Sequence, residues 1–218
     1  MLGESTVKPT QAFPWSESSH ASSSAEGHAE WVADWSLAHQ CLAGDDASCT
    51  RLVTDHQRMV YQLSLHLLGE QQEALDLSQE VFLRVFRTLG QFRGQSALRT
   101  WIYRIVVTQA SNRRRWWRRR HQSQQVPLHE HVATHGDLPD VRRLAKPDQV
   151  AEQNQVTRHV WSALEQLPFD QRTILVLREI DGLSYEEIGF SLGVAVGTVK
   201  SRLARARGHL RDVLRSKS

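Results

Sequence analysis

At 218 residues, 40% of them hydrophobic and 23% charged, the chain is long enough for one large or two small packed domains. Its two cysteines, Cys41 and Cys49, exclude a disulfide scaffold and are expected to be free thiols. No apolar run approaches the ~20 residues of a membrane span and no signal-peptide core opens the chain, so a cytoplasmic protein without stable membrane insertion is expected. The net charge of +3 is mild but unevenly spread. Residues 1–40 carry five acids (Glu4, Glu17, Glu26, Glu30, Asp34) against Lys8, which leaves +7 on the remainder, gathered at 113–120 and 199–215. Such clustering is the footprint of a nucleic-acid binder.

Residues 1–30, with runs such as "SESSHASSSAEG", show no helical period and are expected to form a disordered tail. Residues 31–120 read as four helical segments, with Gly44, Gly69 and Gly90 placed where helix C-termini favour positive φ. In "EALDLSQEVFLRVFRTL" the spacing predicts Leu77, Val81, Phe82, Val85 and Leu89 inside. Asp76, Gln79, Glu80, Arg84 and Arg87 fall outside, with Leu83 stranded among them. That face reads equally as a solvated surface with one exposed leucine or as a docking surface around an apolar anchor.

A loop over Phe92–Ser96 follows, then a helix with Leu98, Trp101, Ile102, Ile105 and Val106 on its apolar side, which puts Trp101 in the core. Arg99, Arg104 and the stretch "NRRRWWRRR" at Asn112–Arg120 extend along the exposed side or past the end. An aromatic loop beside a basic helix fits strand-separated nucleic acid, with a membrane-surface peptide as the rival reading of the arginine run. Trp116 and Trp117 suit either stacking on DNA or packing against the domain.

Residues 121–148 contain three prolines and no sustained period, so they are read as a linker. His129, His131 and His135 lie there at a spacing that could ligate a metal, but chance histidines in a solvated linker are the reading adopted and no metal is expected. Residues 149–218 form a second helical unit. Ser184 and Glu187 have capping-box spacing, a short helix runs to about Leu192, Gly193 supplies a turn, and a long basic helix begins near Ala195. This is a helix-turn-helix pattern, and Gly189 suits a close crossing of its helices. Around the long helix, Val199, Leu203, Ala206 and Leu210 form one stripe, and the small Gly197, Ser201, Ala204 and Gly208 lie opposite. Lys200 and Arg211 flank that ridge on one side, Thr198 and Arg205 on the other, as a helix entering a major groove requires. The expected fold class is all-α, with an N-terminal helical bundle and a C-terminal helix-turn-helix joined by a flexible linker. No nucleophile–base set or phosphate-cradling Gly loop is present, so neither an enzyme nor a cofactor site is expected.

Two blocks carry a family resemblance. "DLSQEVFLRVFRTLGQFRGQSALRTWIYRI" resembles region two, and "LPFDQRTILVLREIDGLSYEEIGFSLGVAVGTVKSRLARAR" region four, of bacterial extracytoplasmic-function (ECF) sigma factors of the sigma-E-like type. The resemblance implies a promoter-specificity subunit of RNA polymerase, with residues 31–120 docking on the polymerase and melting the −10 element. Asp76, Gln79, Glu80, Leu83, Arg84 and Arg87 would meet the β′ clamp helices. Phe92, Arg93, Gly94, Gln95, Ser96, Arg99, Arg104, Asn112, Arg113, Arg114 and Arg115 would hold single-stranded −10 DNA. Thr198, Lys200, Ser201, Arg202 and Arg205 would read duplex −35 DNA, with the second unit against the β flap. The resemblance further implies an anti-sigma partner, which in turn would hold the protein at the membrane. One departure is Ala195, where the family often starts the recognition helix with Pro. A helix-turn-helix regulator that is not a polymerase subunit is the alternative; it would leave residues 70–120 without a role.

Overall fold

The computed structural model describes residues 23–122 and 159–216. The first 22 residues, the expected linker with His129, His131 and His135, and the last two residues lie outside the described residues. Helices and turns make up all of what is described, as expected for an all-α chain. The N-terminal unit comprises α1 (Ser23–Leu42), α2 (Asp46–Leu68), α3 (Gln71–Thr88) with a 3₁₀ turn at Leu89–Gln91, and α4 (Leu98–Gln122). The C-terminal unit comprises α5 (described over 159–166), α6 (Phe169–Leu175) running into one π-turn (Val176–Ile180), α7 (Tyr185–Leu192) and α8 (Val196–Arg215).

Two sequence expectations need correcting. Helix α1 starts at Ser23, inside the stretch read as tail, because proline-free sequence with good helix formers (Ala25, Glu26, Ala29, Glu30) outweighs the missing period. Cys41 and Cys49 are not free thiols but a disulfide, with Cα atoms 4.9 Å apart. The cause is the turn between α1 and α2. Gly44 takes φ +89°, and Asp45 caps α2 by accepting from the Ser48 amide, so the last turn of α1 folds back onto the first turn of α2.

In the N-terminal unit, Leu52, Leu63, Leu77, Val81, Val85, Leu98 and Ile102 are fully buried. Each such aliphatic side chain contributes roughly 1.5–3 kcal/mol relative to exposure. In the C-terminal unit, Ile174, Leu177, Ile188, Val199, Leu203 and Ala206 do the same. The capping box is present in both directions: the Glu187 amide donates to Ser184 Oγ and the Ser184 amide to the Glu187 carboxylate. Gly189 is required by packing, since a Cβ there would lie 2.9 Å from the Val194 carbonyl oxygen.

The two units pack together, with α7 lying along α4. Thr100 Oγ1 donates to Glu187 at 3.1 Å, Arg104 lies over the Phe190 ring, Arg114 over Phe169, and His66 stacks on Trp161. This seam is imperfectly satisfied. Asp181 Oδ2, Arg114 Nη1 and Arg172 Nε are buried without a hydrogen-bond partner among the described residues. Burial pushes the Asp181 carboxyl up to about 6, opposed by Arg99. Burial also draws the Arg172 guanidinium down to about 10, helped by Arg114.

Candidate nucleic-acid and docking surfaces

The loop Phe92–Ala97 is held from behind by α1. Trp31 Nε1 donates to the Gly94 carbonyl at 2.8 Å, and the Leu98 amide donates to Asp34 at 2.6 Å, which caps α4 from a residue 64 positions away. Gly94 has φ +64°, and a Cβ there would sit 2.4 Å from Trp31 Nε1, so only glycine fits. The Phe92 ring lies between Trp35 at 6.2 Å and Trp101 at 5.6 Å. These contacts raise the loop as one wall of a cleft of about 600 Å³ whose other wall is α4.

Of the expected −10 residues, Phe92, Arg93, Gln95, Ser96, Arg104 and Asn112 line this cleft. The other five point elsewhere. Gly94 is turned to Trp31, and Arg99 donates to the Tyr103 hydroxyl, whose pKa burial pushes up to about 12. Arg113 is taken up by the Glu73 carbonyl and by the carboxylates of Glu73 and Glu80 at 3.1 and 3.0 Å. Arg114 lies over Phe169, and Arg115 donates to Asn112 Oδ1.

The cleft also recruits residues read differently from sequence. Trp101 is half-buried and lines it rather than sitting wholly in the core, and Arg84 lies in it rather than only on the docking face. Thr108 and Gln109 were given no role and lie in it too. Their signal was available, since they fall on the same α4 stripe as Arg104 and Asn112. Among the described residues no acid lines the cleft, whereas Arg84, Arg93 and Arg104 do, and its α7-facing side is closed by Phe190. An acid-free cleft with aromatic floor and arginine rim suits an unstacked nucleotide strand.

On α3, Leu83 is 55% exposed, as the face assignment requires. Leu75 and Phe86, which the sequence reading left out, are exposed on the same stripe, so the apolar anchor is a patch of three. Gln79, Arg84 and Arg87 are exposed around it. Asp76 is half-buried and accepts from Gln72, while Glu80 is tied to Arg113.

On α8, Val199, Leu203 and Ala206 are buried and Leu210 half-buried, and the ridge of Gly197, Ser201 and Ala204 is exposed. Lys200, Arg205 and Arg211 are exposed beside it, with Thr198 and Arg202 half-buried. Ala195 at the N-cap has no side chain to bond the first-turn amides, and its carbonyl accepts from the Thr198 and Val199 amides instead. Arg207, by contrast, is occupied by Glu179 at 2.6 Å and serves packing. Among the described residues no cluster of metal-ligating side chains occurs and no helix is long and apolar enough to cross a membrane.

Residues 52–121 match the family model for sigma-70 region 2, and residues 158–210 the model for sigma-70 region 4. The chain is 36% identical over 174 residues to the RNA polymerase sigma-H factor of Pseudomonas aeruginosa, covering 80% of this chain and 90% of that one. It is 35% identical over 180 residues to the ECF RNA polymerase sigma-E factor of Escherichia coli K12, covering 82% and 92%. Among solved structures it resembles the sigma factor RpoE of Bartonella quintana in complex with the anti-sigma factor NepR, at 25% identity and a TM-score of 0.61 over 76% of this chain and 96% of that one. It also resembles CnrH in complex with the cytosolic domain of CnrY, at 25% identity and 0.60 over 85% and 99%. Both halves of a sigma-70-type initiation factor are thus present in one chain, which sets aside the helix-turn-helix regulator. The chain belongs to the ECF RNA polymerase sigma factors, the proteins that confer promoter-specific transcription initiation.

Proposed function

We propose that this sigma factor works in the cytoplasm, binding core RNA polymerase through α3 and promoter DNA through the cleft and α8. The apolar trio Leu75, Leu83 and Phe86 packs on the β′ clamp helices, with Gln79, Arg84 and Arg87 around it and Asp76 and Glu80 at its border. The cleft takes the non-template −10 strand unpaired. Phe92 and Trp101 present aromatic surface, Arg93 and Arg104 meet phosphates, and Gln95, Ser96 and Asn112 offer hydrogen bonds to base or sugar. The ridge of α8 enters the −35 major groove, with Lys200, Arg205 and Ser201 toward bases and Thr198 and Arg202 toward the backbone, while the C-terminal unit rests on the β flap. The solved relatives bound to anti-sigma proteins support such a partner here, and a membrane tether through it is part of the same proposal. The observation that carries the reading is the acid-free cleft joined, in one chain, to a slim basic recognition helix.

The test is to reconstitute the chain with core polymerase, select the promoters it uses, and measure run-off transcript. Leu83→Asp is expected to weaken polymerase binding by about tenfold or more, as loss of a buried interface anchor does, with unchanged melting of the isolated protein. No transcript from any selected promoter, or an unfolded Leu83→Asp protein, would overturn the assignment.

A further inference from the structure

Positions on α4 advance by about 100° per residue. On that scale its cleft-lining residues, Trp101, Arg104, Ile105, Thr108, Gln109 and Asn112, occupy one sector of the helix. Past Asn112 the same sector holds Arg115, Trp116 and Arg119, with Arg120 at its margin, whereas Arg113, Arg114, Trp117 and Arg118 fall outside it. Of the four outside it, Arg113 and Arg114 are engaged, while Trp117 and Arg118 are exposed. Arg113 is spent on Glu73 and Glu80, and Arg114 on Phe169. Arg115, Trp116, Arg119 and Arg120 are exposed, Trp116 at 46%, with the Arg120 guanidinium 4.8 Å from its ring centroid. Arg115 donates to Asn112 Oδ1, which joins the extension to the last residue of the cleft. No acid occurs anywhere in α4.

We propose that Trp116, with Arg115 and Arg119, is a further promoter contact that extends the cleft's track along α4. This rests on the reading of the cleft as the −10 strand site. A base or deoxyribose of the strand leaving the cleft stacks on Trp116, and Arg115 and Arg119 take its phosphates. From Asn112 to Arg119 the helix rises about 10 Å, room for about three nucleotides of a B-form strand. Trp117 lies outside this sector but meets Trp116 edge to face, with ring centroids 5.8 Å apart, so an anionic lipid surface is the rival partner that the experiment must separate from DNA.

The experiment uses holoenzyme assembled with core polymerase and a fluorescent promoter fragment unpaired over its −10 strand, titrated at several salt concentrations. Trp116→Ala is expected to weaken binding about tenfold, the loss of one stacking platform, with Trp116→Phe restoring most of it. Arg119→Gln is expected to lower the salt slope by about 0.7–0.9, and Trp117→Ala to leave affinity within twofold. Asn112→Ala tests the cleft itself. If Asn112→Ala weakens binding and neither Trp116→Ala nor Arg119→Gln does, the extension is wrong. If Asn112→Ala is also without effect, the cleft reading fails and the extension with it. A loss of binding to phosphatidylglycerol vesicles by Trp116→Ala, with DNA binding intact, overturns the proposal in favour of lipid.

Discussion

The two DNA-facing surfaces differ in how they are built. The face of α8 is one helix with a buried stripe, and its exposed ridge follows from the period of a single segment. The cleft is assembled from α1, the Phe92–Ala97 loop, α3 and α4, and depends on contacts between residues more than sixty positions apart. A surface built from one element degrades by degrees when its residues are changed. One built from several fails when a support is removed, even a support that touches no DNA.

The largest expected effect therefore lies behind the cleft. Gly94→Val places a Cβ on the Trp31 ring nitrogen and strains a left-handed backbone, a cost of order 1–3 kcal/mol for the backbone alone. It is expected to cut initiation about a hundredfold or more by displacing the loop, while duplex −35 binding by α8 is retained. Equal loss in both assays would show that the two surfaces are not separable. A graded effect is expected from Arg205→Gln. If Arg205 reads a base, −35 affinity falls by about 1–3 kcal/mol with relaxed specificity at one position; if it meets phosphate, the salt slope falls by about one. An Arg205→Gln protein unchanged on both counts removes that residue from the α8 surface.

The smallest effect concerns the seam between the units. Burial raises the Asp181 carboxyl to about 6 when α7 is packed on α4, with Arg99 lowering it and Tyr103 close by. For an acid with a raised pKa, stabilisation is fully present below the ordinary value of 3.8 and is lost as pH rises through about 6. The packed arrangement is thus expected to loosen between about pH 4 and 6, read as increasing radius of gyration by X-ray scattering. Asp181→Asn should flatten that profile. A profile that persists in Asp181→Asn assigns the transition to another group.

The same contrast explains what could be read from sequence. Val199, Leu203, Ser184, Glu187 and Gly193 declare the helix-turn-helix because each acts within a few residues of its partner. Leu83 was visible as a misfit in a regular pattern, but Leu75 and Phe86 were not, since each looks ordinary until the fold shows which side is covered. Six arginines in one run look alike. Only the positions of Glu73, Glu80 and Phe169, on other helices, turn Arg113 and Arg114 inward and leave Arg115 out. Trp31 and Asp34 carried no sign that they would hold a loop so far along the chain. The Cys41–Cys49 bridge depends on a tight turn that composition does not reveal.

Phe190 walls one side of the cleft while belonging to α7, so on the proposed reading α7 and a promoter strand would meet at the same edge of the cleft. If the strand displaces α7 from that edge, only the fraction of molecules with α7 withdrawn would be competent to bind, and the measured dissociation constant would be the intrinsic one divided by that fraction. Each 1.4 kcal/mol in favour of the packed form makes free protein a tenfold poorer DNA ligand. A polymerase surface that binds only the spread form removes this handicap, and a partner that binds only the packed form deepens it. On that reading the seam between α4 and α7 would set the exchange rate between holding the factor in reserve and committing it to a promoter.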